Sequence, residues 1–227
     1  MTNARQVREI FKPFARRDEN WKEMRLRFLL RMPVRHISCG IFIERSSNPD
    51  SFWPSLVANA LFYSNFRNEI RIGTYSEPLS RTSPSSTACW LWSDPTAICD
   101  AIDVMTTYAL PKLSLYGTIE GYSSLLDGSQ RFYSEPLEDR MIVYIAAGNL
   151  DAARTIWHHQ QSRRAGKLFP PGSRAHRWQM QLATVAEPLT AGDRPALAKI
   201  LHDWEAANVR GTELEPYWEP TPFPLER

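Results

Sequence analysis

The chain reads as an α+β protein: a small antiparallel sheet with flanking helices, followed by a helical-hairpin C-terminal half. Three observations predict this class. Two runs of period-two hydrophobicity lie between residues 24 and 45, and helical periodicity takes over from residue 135. The apolar fraction of 43% and charged fraction of 23% belong to an ordinary globular protein large enough for a real core.

Val7, Ile10, Phe11 and Phe14 fall at helical spacing behind Asn3, a capping residue, which predicts a helix near 4–16. Met24, Leu26, Phe28, Leu30 and Met32 then alternate with Arg25, Arg27, Leu29 and Arg31. After Pro33, a second run places Ile37, Cys39, Ile41 and Ile43 on one face. The pair reads as an antiparallel hairpin over 24–45 with one buried face and one arginine-rich face.

A Ser/Asn/Pro turn at 46–51 leads to 53–63, where Pro54 in a first turn predicts a short helix. Residues 69–75 supply a third strand, and the Ser/Thr/Pro-rich stretch 76–88 is the longest without regular structure. Cys89 to Trp92 is a short strand or an aromatic plug. Ser93-Asp94-Pro95 opens a helix over 95–109 that buries Ile98, Ala101, Ile102, Met105 and Tyr108. Pro111, Gly117 and Gly121 are expected to break the chain from there to Leu126 into short pieces.

From residue 135 helices dominate. In 141–154 Gly148 supplies a left-handed helix end, Asn149 a cap and Asp151 a first-turn negative charge. Ser173 caps a helix carrying Trp178, Leu182 and Val185, and Asp193-Arg194-Pro195 opens one carrying Leu197, Ile200, Leu201 and Trp204. The organisation expected is one compact unit, with an α+β half at 1–132, helical hairpins at 133–210 and a proline-rich acidic aromatic tail at 211–227.

Net charge is +2, too balanced for a general electrostatic hold on nucleic acid, so no direct nucleic-acid partner is expected. Five lysines against 22 arginines reflect GC-rich bacterial coding rather than a nucleic-acid code. Cysteines at 39, 89 and 99 form no CxxC pair and fit reduced thiols. Neither a signal-peptide core nor an apolar run of membrane-spanning length is found, which points to a cytoplasmic protein with no membrane partner.

Motifs for chemistry are missing. The sequence has no HExxH, GxSxG, GxGxxG or GxxxxGK[ST], and its histidines at 36, 158, 159, 176 and 202 show no zinc spacing with cysteine. His36 and Cys39 are expected on opposite faces of a strand, which argues against a thiol dyad. No catalytic residue, metal ligand or cofactor is assigned. An enzyme would need a deep pocket in which His36, His176 or His202 meets a carboxylate.

Binding candidates come from side chains that favour interfaces. Eight tryptophans is a high count for 227 residues. Trp90, Trp92, Tyr217 and Trp218 lie in or beside irregular segments and are the aromatic candidates. Arg25, Arg27 and Arg31 form the cationic one and complement the acidic tail, which should dock on the chain's own body.

The helix pair at 135–164, through Ala146-Ala-Gly-Asn-Leu-Asp-Ala-Ala153, resembles a tetratricopeptide-type hairpin over about thirty residues. In size, mixed architecture and want of targeting or catalytic motifs, the whole chain resembles the bacterial immunity proteins that neutralise toxins of type VI secretion and polymorphic toxin systems. That resemblance implies a non-enzymatic inhibitor of a cognate toxin encoded nearby, with a nuclease effector as the first expectation. A scaffold or secretion adaptor using its helical hairpins is the alternative, and an enzyme of unrecognised type the third.

Overall fold

A computed structural model describes residues 2–24, 27–63, 75–81, 90–128, 137–164, 169–171 and 173–227. It has the α+β architecture, with a six-stranded antiparallel sheet, and divides into two compact units. The first unit comprises residues 1–60, 68–118 and 211–219, and the second 61–67, 119–210 and 220–227. Neither unit is contiguous in sequence, and the tail is shared out between them.

The first unit opens with α1 (Ala4–Arg17), capped by Asn3 in a reciprocal box with Gln6 and burying Val7, Ile10, Phe11 and Phe14. β1 (Trp21–Met24), β2 (Phe28–Arg31), β3 (Ile37–Arg45) and β4 (Ser51–Ala60) come next, as neighbours in that order. β5 (Tyr75–Pro78) and β6 (Trp90–Leu91) both pair with β4. The β2–β3 pairing realises the expected hairpin, although the alternation over 24–32 is two strands rather than one. The chain turns between them at Arg27, whose φ is +72°, while Arg25 lies outside the described residues. Leu29 and Leu30 are both buried, so β2 has no arginine-rich face.

Residues 53–63 are not the expected helix: 53–60 are most of β4, the strand that pairs along all of β3, and 61–63 turn away from it. Nearly every β4 residue is buried. Such a strand has a continuous apolar run and loses the alternation that distinguishes it from a buried helix. Pro54 sits opposite Ile43, and its carbonyl accepts the Leu79 N–H. Gly40 in β3 is required by close packing, because a Cβ there would lie 2.1 Å from the Leu29 carbonyl oxygen.

α2 (Ala97–Val104) runs through a π-turn at Met105–Ala109 into α3 (Leu110–Tyr116). It starts two residues later than expected, and ahead of it the Asp94 carboxylate accepts from the Thr96 N–H and hydroxyl. The buried stripe is Ala97, Ala101, Val104, Met105 and Ala109, and Tyr108 within the π-turn is exposed. Gly117 ends α3 as expected, but Gly121 breaks nothing and lies buried inside α4 (Ile119–Gly128).

The second unit packs α4, α5 (Leu137–Ala146), α6 (Leu150–Arg164), α7 (Arg174–Ala191) and α8 (Arg194–Val209). Gly148, at φ +79°, makes the α5–α6 turn, and Asn149 accepts the Ala152 N–H. Ser173 and Asp193 cap α7 and α8 as expected. Contacts run along the series and also from α5 to α8, so the array closes on itself rather than stacking openly. Phe223 and Leu225 complete this core from the tail. Asn208 donates from Nδ2 to the Leu61 and Tyr63 carbonyls at 2.6 and 2.5 Å. The side chain of Trp178 lies outside the described residues, and Trp204 is half-buried.

Candidate functional site

The first part of the tail docks on the turn between β2 and β3. The Val34 N–H donates to the Tyr217 carbonyl at 2.9 Å, and the Glu219 N–H donates to the Val34 carbonyl at 2.8 Å. These bonds make a parallel bridge between Val34 and Trp218, and Leu214 anchors the segment by being buried. Tyr217 and Trp218 remain half-exposed beside β1, an edge strand. Lys22 stands over the Tyr217 ring at 5.7 Å, and Arg35 faces Glu219 at 3.9 Å. A shallow cavity of about 350 Å³, lined by Glu23, Met24, Glu213, Pro216 and Tyr217, adjoins the pair. The result is two rigid aromatics within a rim carrying both signs of charge.

The other candidates are spent on the fold. Trp90 does not offer its ring to solvent. It is fully buried, donates to the Leu79 carbonyl at 3.2 Å and carries the Arg81 guanidinium 5.5 Å above it. Trp92 stacks on Phe52 at 3.9 Å and donates to Thr2 Oγ1. Arg31 donates to Ser114 Oγ at 2.6 Å, and Arg27 lies 5.1 Å from the Phe42 ring. Lys22 and Arg35, which flank the Val34 turn where the tail arrives, both meet the tail.

Two charged networks had no signal in the sequence. Glu77 of β5 accepts from Tyr75 at 2.5 Å, from Lys112 at 2.8 Å and from Tyr108. Burial pushes the Glu77 carboxyl up, but the Lys112, Tyr108 and Tyr75 hydrogen bonds outweigh it and leave the group below the usual carboxylate range. Arg81 donates to Asp94 at 2.6 Å and also to Asp100. Its hydrogen bond, followed by those from Thr96, holds the Asp94 carboxyl down to about 2. The first network ties β5 to α3, and the second ties the segment after β5 to the start of α2.

Burial pushes the Cys39 thiol up to about 12, which removes it as a nucleophile. His36 is buried as well. His202 meets a carboxylate: its Nε2 lies 2.8 Å from Glu226 Oε1, beside a groove of about 730 Å³ along α8. That same oxygen accepts the Phe223 N–H, and the His202 ring packs on Phe223 at 4.7 Å. No hydroxyl or thiol side chain is among the described residues lining the groove.

Among the described residues no His, Cys, Asp and Glu side chains cluster to hold a metal, and no helix is long and apolar enough to cross a membrane. No family model, curated protein or solved structure matches the chain. What the site can do rests on its own geometry.

Proposed function

We propose that the protein is a non-enzymatic, cytoplasmic protein-binding protein that neutralises a cognate bacterial toxin encoded beside it, with a nuclease effector as the first candidate. The observation that carries this reading is the Tyr217–Trp218 pair, held to the Val34 turn by backbone hydrogen bonds yet half-open to solvent. Rigid aromatics inside a charged rim are the anchors that protein interfaces favour. The closed helical array of the second unit weighs against an adaptor that threads a peptide between open repeats. Co-expression with the neighbouring gene's product tests the proposal. A stoichiometric complex and loss of that product's toxicity are expected; a toxic neighbour that is neither bound nor neutralised overturns it.

One observation favours a second reading, a hydrolase in which Glu226 orients His202 as a general base toward water in the α8 groove. It ranks second because the lining described supplies no nucleophile and Glu226 is also committed to the Phe223 backbone. Turnover of ester or phosphoester substrates that disappears in His202→Ala would establish it. Equal background rates in both proteins would dismiss it.

A further inference from the structure

We propose that the groove along α8 binds an acidic peptide segment. This rests on reading the protein as a protein-binding protein, and it names the chemistry of one segment that such a partner presents.

Arg194, Ala198, Lys199 and His202 succeed one another at helical spacing and share a face of α8, opposite Leu225 and Glu226. Ala198 and Leu225 are buried and give the groove an apolar floor. Arg194 and Lys199, both exposed, stand above it.

The charges on this face are unequally matched. Lys199 has Asp203 at 2.6 Å, and His202 has Glu226 at 2.8 Å. Arg194 instead donates to two neutral acceptors, the Leu225 carbonyl at 2.9 Å and the Gly148 carbonyl at 3.4 Å. Its guanidinium thus has no carboxylate counterpart among the described residues, in contrast to Arg81, which has two. A guanidinium anchored on one edge by carbonyls keeps a fixed orientation and a net positive charge for an incoming anion.

The Glu226 carboxylate already belongs to the groove's own lining. Glu226 is an acidic side chain on a proline-flanked stretch, seated against His202 with Leu225 in the floor beside it. A partner segment with carboxylates around an apolar residue repeats that chemistry next to Arg194. Nucleic acid fits less well. Among the described lining residues there is no aromatic ring apart from His202 for bases to stack on.

Fluorescence anisotropy of the full chain tests this, with a labelled peptide of glutamates around a central leucine as the probe. Binding is expected at low salt, falling as ionic strength rises. Lys199→Glu, which touches only the exposed Asp203, is expected to weaken it by about threefold, and Arg194→Glu with Lys199→Glu by about tenfold. The proposal is overturned by equal binding of the lysine counterpart or by tighter binding of an oligothymidylate. It is equally overturned by no binding, or by an unchanged curve in a doubly substituted protein that still melts cooperatively. If the peptide fails while the toxin complex still forms, the groove proposal falls alone. If that complex fails, the functional reading falls with it.

Discussion

Trp218 is bridged in parallel to Val34, so main-chain hydrogen bonds on either side of it fix an aromatic in a proline-rich tail. Its backbone is structural, and its ring stays partly open to solvent. The two roles are separable by mutation. Trp218→Ala is expected to change stability by less than about 1 kcal/mol, while weakening a partner complex by about 2 kcal/mol or more if the pair is an anchor. Val34→Pro removes the donor to Tyr217 and is expected to cost about 1 kcal/mol or more. Thermal melts, with limited proteolysis of the tail, compare the two; equal destabilisation by both would contradict the separation.

Gly40→Ala is expected to be among the most damaging single changes in the sheet. The new methyl would overlap the Leu29 carbonyl and meet the Phe28 ring at 2.8 Å, in a strand with no room to move aside. A loss of about 3 kcal/mol is expected from such overpacking. Gly211→Ala meets nothing within 4 Å and carries only the penalty of its φ of +75°, about 1 kcal/mol. Denaturant midpoints of the pair check the contrast, and similar midpoints would refute it.

Asn208→Leu keeps the branching of the side chain at Cγ and removes the amide that donates both bonds. The Leu61 and Tyr63 carbonyls then lose those bonds inside the second unit. Leaving buried acceptors unmade is expected to cost about 2–4 kcal/mol, read as a shift in urea midpoint. A midpoint within error of the parent would mean that water replaces the amide.

Acid stability should carry the signature of Asp94. Its folded pKa, about 2, lies below its ordinary 3.8, so its contribution is fully present above that value. It is lost as the pH falls through about 2. Asp94→Asn is expected to flatten that part of the stability profile between about pH 4 and pH 2 and to leave the slope above pH 5 unchanged. An identical profile in the variant would show that Arg81 draws its support from Asp100 alone.

Thiol labelling distinguishes the two described cysteines. Cys99 is exposed and should be modified quickly in the native protein, whereas Cys39, buried with its thiol pushed up to about 12, should react only on unfolding. Mass mapping after brief alkylation gives the answer, and native labelling of Cys39 would refute its placement.

Helix signals were the most legible part of this chain, because Asn3, Ser173, Asp193 and Gly148 act locally and each does what its chemistry prescribes. β4 was not legible. Burial on both faces erased its alternation, and Pro54 mimicked a helix start. Of the site, Tyr217 and Trp218 were visible as aromatics in an irregular acidic segment. Lys22 and Arg35 were not, since only the path of the tail past Val34 makes them its neighbours. The Glu77 and Arg81 networks join residues far apart in sequence, and nothing about either partner alone announces the other.

The interleaving of the units has a consequence for biosynthesis. The sheet unit takes its last piece from residues 211–219, so it is completed only after the ribosome has made every helix of the second unit. Chains stopped before residue 211 carry neither Tyr217 nor Trp218. The aromatic surface therefore appears only after α4 to α8 have been made, and a product terminated before it cannot compete for whatever that surface holds.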